Sequence, residues 1–140
     1  MTPDQVKQIL LDTKTIAVVG MSTDPTRPSQ DVPKYLQAHG YRIIPVNPNA
    51  TEILGEKAYP NLSAIPRDIK IDTVEIFLRN DQVPPVVEEA IAIGAKVIWM
   101  QEGVRNDQAA KTAEAAGLVV LQDRCMRAAH RFFFAESKKS

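Results

Sequence analysis

The residues best suited to chemistry lie in the stretch VVGMSTDPTRPS, positions 18–29. A short apolar run reaches one glycine, Gly20, and passes into a polar loop carrying Met21, Ser22, Thr23, Arg27 and Ser29. The amide groups at the start of a following helix, with the helix dipole, favour an anion at such a loop. Arg27 is either a solvated side chain or a fork of donors for a phosphate. Ser29 reads as the cap of the helix, a place that a bound phosphate can share. The chemistry indicated is the holding of a phosphate or pyrophosphate.

Two familiar nucleotide sites do not fit. A dinucleotide site needs G-x-G-x-x-G and an acidic residue at the end of the second strand. Here Ser22 and Pro25 stand where later glycines belong, and the second strand runs into Asn47-Pro48. The sequence also contains no G-x-x-x-x-G-K-[ST] phosphate loop.

No catalytic constellation emerges elsewhere, which makes a catalytic role of the chain's own the lesser expectation. Glu102 follows the fourth predicted strand, but no carboxylate or histidine is spaced to work with it. His39 and His130 are 91 residues apart, and with one cysteine they form no ligand cluster. Cys125 follows Asp123-Arg124 at the end of the fifth predicted strand. Arg124 and a helix start beside it suit a reactive thiol, for instance toward a thiol ligand. Its spacing with Ala128 and Ala129 favours instead a small residue on a buried helical stripe. Trp99 reads as core.

These residues need a scaffold, and the chain supplies one by strict alternation. Thr2, Pro3 and Gln5 open a helix with a capping box. Strands are predicted at Thr15–Val19, Tyr41–Val46, Ile71–Leu78, Lys96–Met100 and Leu118–Leu121. Helical stripes lie between them at Val32/Leu36, Val83/Val87 and the alanine-rich segment after Asn106 or Asp107. A last helix is predicted to turn Cys125, Ala128, Ala129, Phe132 and Phe133 to one apolar face. Residues 50–70 look mostly irregular and fit a cover for one sheet edge. Alternation of this kind predicts an α/β, Rossmann-like three-layer fold. Its sheet is parallel and five-stranded, in the order 3-2-1-4-5, with helices on both faces and one domain over residues 1–140. Ligands bind such sheets at the carboxyl ends of the strands, where the order reverses.

Composition narrows the partners. The chain has 140 residues, 44% of them apolar, and 17 basic residues balance 17 acidic ones. No basic excess points to nucleic acid. No apolar run approaches a membrane span, and the N-terminus lacks the pattern of a signal peptide. A single cysteine allows no internal disulfide, so the expected setting is the cytoplasm. Glu136 to Ser140 read as a frayed polar end.

The ordered segments VVGMS, GYRIIPVNP, ILGEKAYPNL, VEIFLR, AKVIWMQEGV and AAGLVVLQDRC resemble the small stand-alone CoA-binding domain proteins. Those proteins are similar in turn to the CoA-binding domain of the succinyl-CoA synthetase α subunit. The likeness covers roughly residues 10–131. It implies coenzyme A as the ligand. Gly20, Met21 and Ser22, with Arg27 and Ser29, match the segment that holds the nucleotide phosphates. Asn47 and Pro48 match the end of the second strand. Phe77, Leu78 and Arg79 match the segment bordering adenine and pantetheine, and Gln101, Glu102 and Gly103 the segment along the pantetheine arm.

The synthetase's phosphorylated histidine and its lysine after the second strand have no counterpart here, so ligase chemistry is not implied. The expected role is binding of CoA or an acyl-CoA, for carriage, sensing or thiol protection. Cys125 is a possible contact for the thiol. Alternatives are a subunit working with an acyl-CoA enzyme, and an NAD-type nucleotide-binding domain. No particular protein partner is indicated.

Overall fold

The computed structural model describes residues 1–135, so the polar end expected at 136–140 lies outside the described residues. Helix α1 (Pro3–Asp12) starts on the reciprocal cap expected of it. Gln5 N donates to Thr2 Oγ1 at 3.2 Å, and Thr2 N donates to Gln5 Oε1 at 2.8 Å. Then follow β1 (Thr15–Val19), α2 (Pro28–Ala38), β2 (Arg42–Val46), and a small hairpin of β3 (Glu52–Ile53) and β4 (Glu56–Lys57). The second half holds β5 (Thr73–Ile76), α3 (Val83–Ala92), β6 (Val97–Met100), α4 (Asp107–Ala115), β7 (Val119–Leu121) and α5 (Met126–His130), which continues as a π-helical turn at Arg131–Ala135.

The main sheet is parallel throughout, in the order β2-β1-β5-β6-β7. β1, β5 and β6 are buried along their whole length, as strands covered on both faces must be. Alternate residues then serve two apolar layers. Ile16, Val18, Ile43 and Trp99 pack beneath Val6 and Leu10 of α1, Val32 and Leu36 of α2, and Met126 of α5. Ala17, Val19, Val74, Ile76 and Ile98 face Val83 and Val87 of α3 and the alanines of α4.

The α/β architecture matches the 3-2-1-4-5 pattern, with one reassignment. The strand numbered third in the sequence reading (residues 71–78, observed as β5) pairs with β1, not outside β2. The outer place beside β2 is taken by Tyr59, which bridges Val46 in parallel. Pro60 follows that bridge, and the chain crosses back over the sheet before β5 begins. Pro45 sits inside β2 without harm because its polar side faces this edge, where its carbonyl accepts from Tyr59 N at 3.0 Å.

One strand residue breaks the apolar pattern. Glu75 in the middle of β5 is fully buried. Its register neighbours are Val18 on one side and Trp99 on the other. Neither carboxylate oxygen has a hydrogen-bond partner among the described residues. Burial pushes its pKa from the ordinary 4.5 up to about 8.

Candidate functional site

The order reverses between β1 and β5, so the crevice expected of this topology opens at Gly20 and Phe77. Gly20 has φ +82°. A Cβ built there would lie 2.2 Å from Phe77 O and 3.0 Å from Leu78 Cδ2. The glycine is therefore required twice, by its left-handed backbone and by the close approach of the two strand ends. Gly20 N donates to Val46 O at 3.1 Å and Phe77 N donates to Val19 O at 2.9 Å, which draws three strand ends together.

The loop from Met21 to Arg27 is held by its own polar groups. Ser22 N donates to Ser29 O at 3.2 Å, Asp24 N to Ser22 Oγ at 2.9 Å, and the buried Gln30 donates through Nε2 to Ser22 O at 2.9 Å. Pro33 explains why Ser29 O is open to Ser22. Inside α2 it lacks the N–H that would bond that carbonyl four residues back. Asp24 accepts from Thr26 Oγ1 and Thr26 N, and these bonds, helped by Arg27, hold its carboxyl below the usual range.

Helix α2 begins at Pro28, so its cap position is Arg27, which makes no side-chain capping bond. The expectation that Ser29 caps the helix is corrected: Ser29 is the second helical residue. Pro28 has no N–H, and the amides of Gln30 and Asp31 both donate to Arg27 O at 2.9 Å. The Ser29 amide finds no acceptor among the described residues. A helix start with an unspent donor faces the crevice, as anion binding requires.

Arg27, Ser29, Phe77, Leu78 and Arg79 are brought together, with Gln82 and Val104, around an open cleft of about 490 Å³. Both arginines are well exposed, and among the described residues each has only a long ion pair: Arg27 with Asp24 at 3.8 Å, Arg79 with Asp81 at 3.6 Å. Such pairs are worth little in water, so either guanidinium can turn to a phosphate at small cost. Phe77 and Leu78 are half-buried and supply an apolar wall.

The remaining predicted residues do structural work around this cleft. Met21 is fully buried, and its carbonyl accepts from Asn47 Nδ2 at 2.9 Å. Asn47 also takes Asn49 N on Oδ1 at 2.7 Å. It thereby ties the end of β2 to the loop after β1, while Pro48 stands exposed beyond it. Asn47→Ala is expected to cost about 1–2 kcal/mol through these two bonds, read as a lowered urea midpoint with unchanged slope. Gln101 is buried, its Oε1 accepting from Met126 N at 3.3 Å at the start of α5.

Glu102 is exposed and faces a second cleft, together with Asp123, Arg124 and Cys125. Gly103, at φ +86°, is pinned by Asp123 Oδ1, which accepts its N–H at 2.7 Å. Cys125 is half-buried at the cap position of α5, not within a buried helical stripe. The five residues assigned to one apolar face of the last helix do share a surface, but it lines that second cleft and Phe132 is 70% exposed.

Sequence reasoning missed Gln30, Gln82, Val104 and Asn80. Asn80 fixes the loop after β6 by accepting from Arg105 N on Oδ1 and from Asn106 Nδ2 on its carbonyl, both at 2.8 Å. Among the described residues no group of three or more His, Cys, Asp or Glu gathers to hold a metal, and no helix is long and apolar enough to cross a membrane.

The chain is similar to known proteins in sequence and in fold. The Bacillus subtilis protein YneT is 44% identical over 126 residues, which is 90% of this chain and 92% of that one. A solved structure of a hypothetical protein from Pyrococcus horikoshii superposes with a TM-score of 0.91 at 42% identity, covering 94% of this chain and 92% of the other. The ADP-forming acetate–CoA ligase II of Archaeoglobus fulgidus is 32% identical over 103 residues. Those residues are 72% of this chain but only 15% of the ligase. A family model described as the CoA binding domain matches residues 14–131, nearly the whole described chain. By that match, over the same strands and loops that form the crevice, the chain belongs to the CoA-binding domain family.

Proposed function

We propose that the protein is a single CoA-binding domain over residues 1–140 that holds coenzyme A, or an acyl-CoA, at the carboxyl ends of β1 and β5. One observation carries the reading. A glycine pinch at the reversal point stands beside an uncapped helix start, between Arg27 and Arg79. Diphosphate at the Ser29 amide and the helix dipole, the adenine ring against Phe77 and Leu78, and a further phosphate at an arginine fit the donors, the apolar wall and the cations of that cleft. Binding in the cytoplasm, without a catalytic step of its own, is part of the same proposal.

Thermal denaturation with CoA, dephospho-CoA, NAD and ATP tests it. CoA at about 100 times its dissociation constant should add roughly 2.7 kcal/mol of stability, with NAD well behind. No shift from CoA, or an equal shift from NAD, would overturn the reading. Arg27→Ala should weaken CoA about tenfold and dephospho-CoA less, if Arg27 meets the ribose 3′-phosphate. Equal losses would move Arg27 to the diphosphate.

A second reading rests on the match to part of an acetate–CoA ligase, in which this fold is one segment of a larger enzyme. On that reading the chain presents CoA to a partner enzyme. Affinity capture with CoA present and absent checks it, and a partner retained only with CoA is the expected sign.

A further inference from the structure

A second cleft, of about 400 Å³, opens on the same rim. That size falls within the roughly 300–1,000 Å³ of small-molecule sites. Its walls come from α1 and from the last helix, chiefly Val6, Ala129, Phe132 and Phe133, with Cys125 between them. Among the described residues, four large apolar side chains are exposed, and two of these, Met1 at 56% and Phe132 at 70%, stand on this one cleft. Scattered exposed apolar residues are ordinary, but a pair gathered over a concavity marks a place for an apolar group.

The two clefts are joined by a narrow ridge. Glu102 lines the second and Val104 the first, so along this loop Gly103 alone stands between them. Two Cα steps of about 3.8 Å set the width of that ridge. Its crest carries no side chain, and a Cβ at Gly103 would meet nothing within 4 Å. The crest is fixed from below, since Asp123 Oδ1 accepts Gly103 N at 2.7 Å and Val104 O accepts Asp123 N at 3.0 Å. A flexible arm leaving the first cleft thus passes over bare, rigid backbone into an apolar trough.

We propose that this trough seats the acyl group of an acyl-CoA thioester whose nucleotide end occupies the first cleft, an inference that rests on the CoA reading above. The group it fits is apolar and uncharged. The lip carries both signs, Glu102 and Asp123 against Arg124, but the walls of Val6, Ala129, Phe132 and Phe133 give a terminal carboxylate no partner and take it out of water.

Calorimetry with CoA, acetyl-, butyryl-, hexanoyl- and glutaryl-CoA tests the inference. Affinity should rise about two- to fourfold per buried methylene from acetyl to hexanoyl, with glutaryl-CoA weaker than butyryl-CoA. Phe132→Ser and Ala128→Trp change exposed positions, so the fold should survive both. Each should flatten the acyl series while leaving free CoA within twofold. CoA binding with a flat wild-type series overturns the inference and leaves the CoA reading standing, whereas no binding by any of the five removes both. If the trough instead seats a second copy of this chain, sedimentation will show a dimer that Phe132→Ser dissolves, with a flat acyl series. That result also overturns the inference.

Discussion

Gly20→Ala is expected to destabilise the protein by about 3–5 kcal/mol and to abolish ligand binding in the crevice. A left-handed backbone costs an alanine roughly 1–2 kcal/mol. The new methyl would also lie 2.2 Å from the carbonyl oxygen of Phe77. That neighbour is backbone, which cannot swing aside as a long side chain can. Relief requires the end of β1 or β5 to shift, and the bonds from Phe77 N to Val19 O and from Gly20 N to Val46 O lengthen with it. Each bond lost beneath a covered sheet adds about 1 kcal/mol. Urea denaturation should show the fall in midpoint, and hydrogen exchange should show faster opening at Phe77 than at Val74. A Gly20→Ala protein with wild-type stability and CoA binding would mean that the pinch is not a structural requirement.

The elements around this pinch were largely legible in the sequence, for local reasons. Thr2 and Gln5 announce a reciprocal cap because the partners are three residues apart. Asn106 caps α4 by accepting Ala109 N, again within one turn. Residue type alone makes Ser29 the cap, whereas its position does not. Proline at the first helical position makes the residue before it the cap, and Pro28 therefore points to Arg27.

The strand order was not legible in the same way. Parallel neighbours are joined by long crossovers, and nothing in the residues of β5 says which edge of β1 or β2 it will meet. The polar ties of the site fall in the same class. Gln30 to Ser22, Asn47 to Met21, and Asn80 to the loop after β6 join residues 8, 26 and 25–26 positions apart. Their types suit a loop surface equally well, so only the fold reveals what they hold. The rim of candidate residues was found because topology alone places strand ends there. How those residues divide between cleft walls and buried ties depends on pairings between distant segments.

Glu75 is where the period of two misleads, and it yields the other large effect. Alternation in β5 sets Thr73, Glu75 and Phe77 on one face, which in a half-exposed sheet would be the wet one. Here α1, α2 and α5 cover that face, and the carboxyl is sealed without a partner among the described residues. The unfolded chain releases the proton near the ordinary value of 4.5, whereas burial holds it until about 8. Between those values the folded state binds more protons than the unfolded state, so stability must fall as pH rises. The Glu75 contribution should be flat below about 4.5, decline through neutrality, and level off above about 8. At about 1.4 kcal/mol per pH unit, the decline amounts to roughly 3 kcal/mol by pH 7 and about 5 kcal/mol in all. Glu75→Met keeps the length of the side chain and removes the charge. It should raise stability at pH 7 by about 3 kcal/mol and erase the slope between pH 5 and pH 8. Glu75→Gln should erase the slope with a smaller gain, because its amide remains buried without partners. Urea melts of the three proteins across that range decide the matter. A wild-type profile without the decline, or a methionine variant less stable than wild type at pH 7, would mean that the carboxyl has a partner in solution. A residue that costs a domain roughly 3 kcal/mol is a large charge against the 5–15 kcal/mol by which folded proteins hold together. Its seat two residues before Phe77, on the face of β5 that runs up to the cleft, puts that cost directly beneath the candidate site.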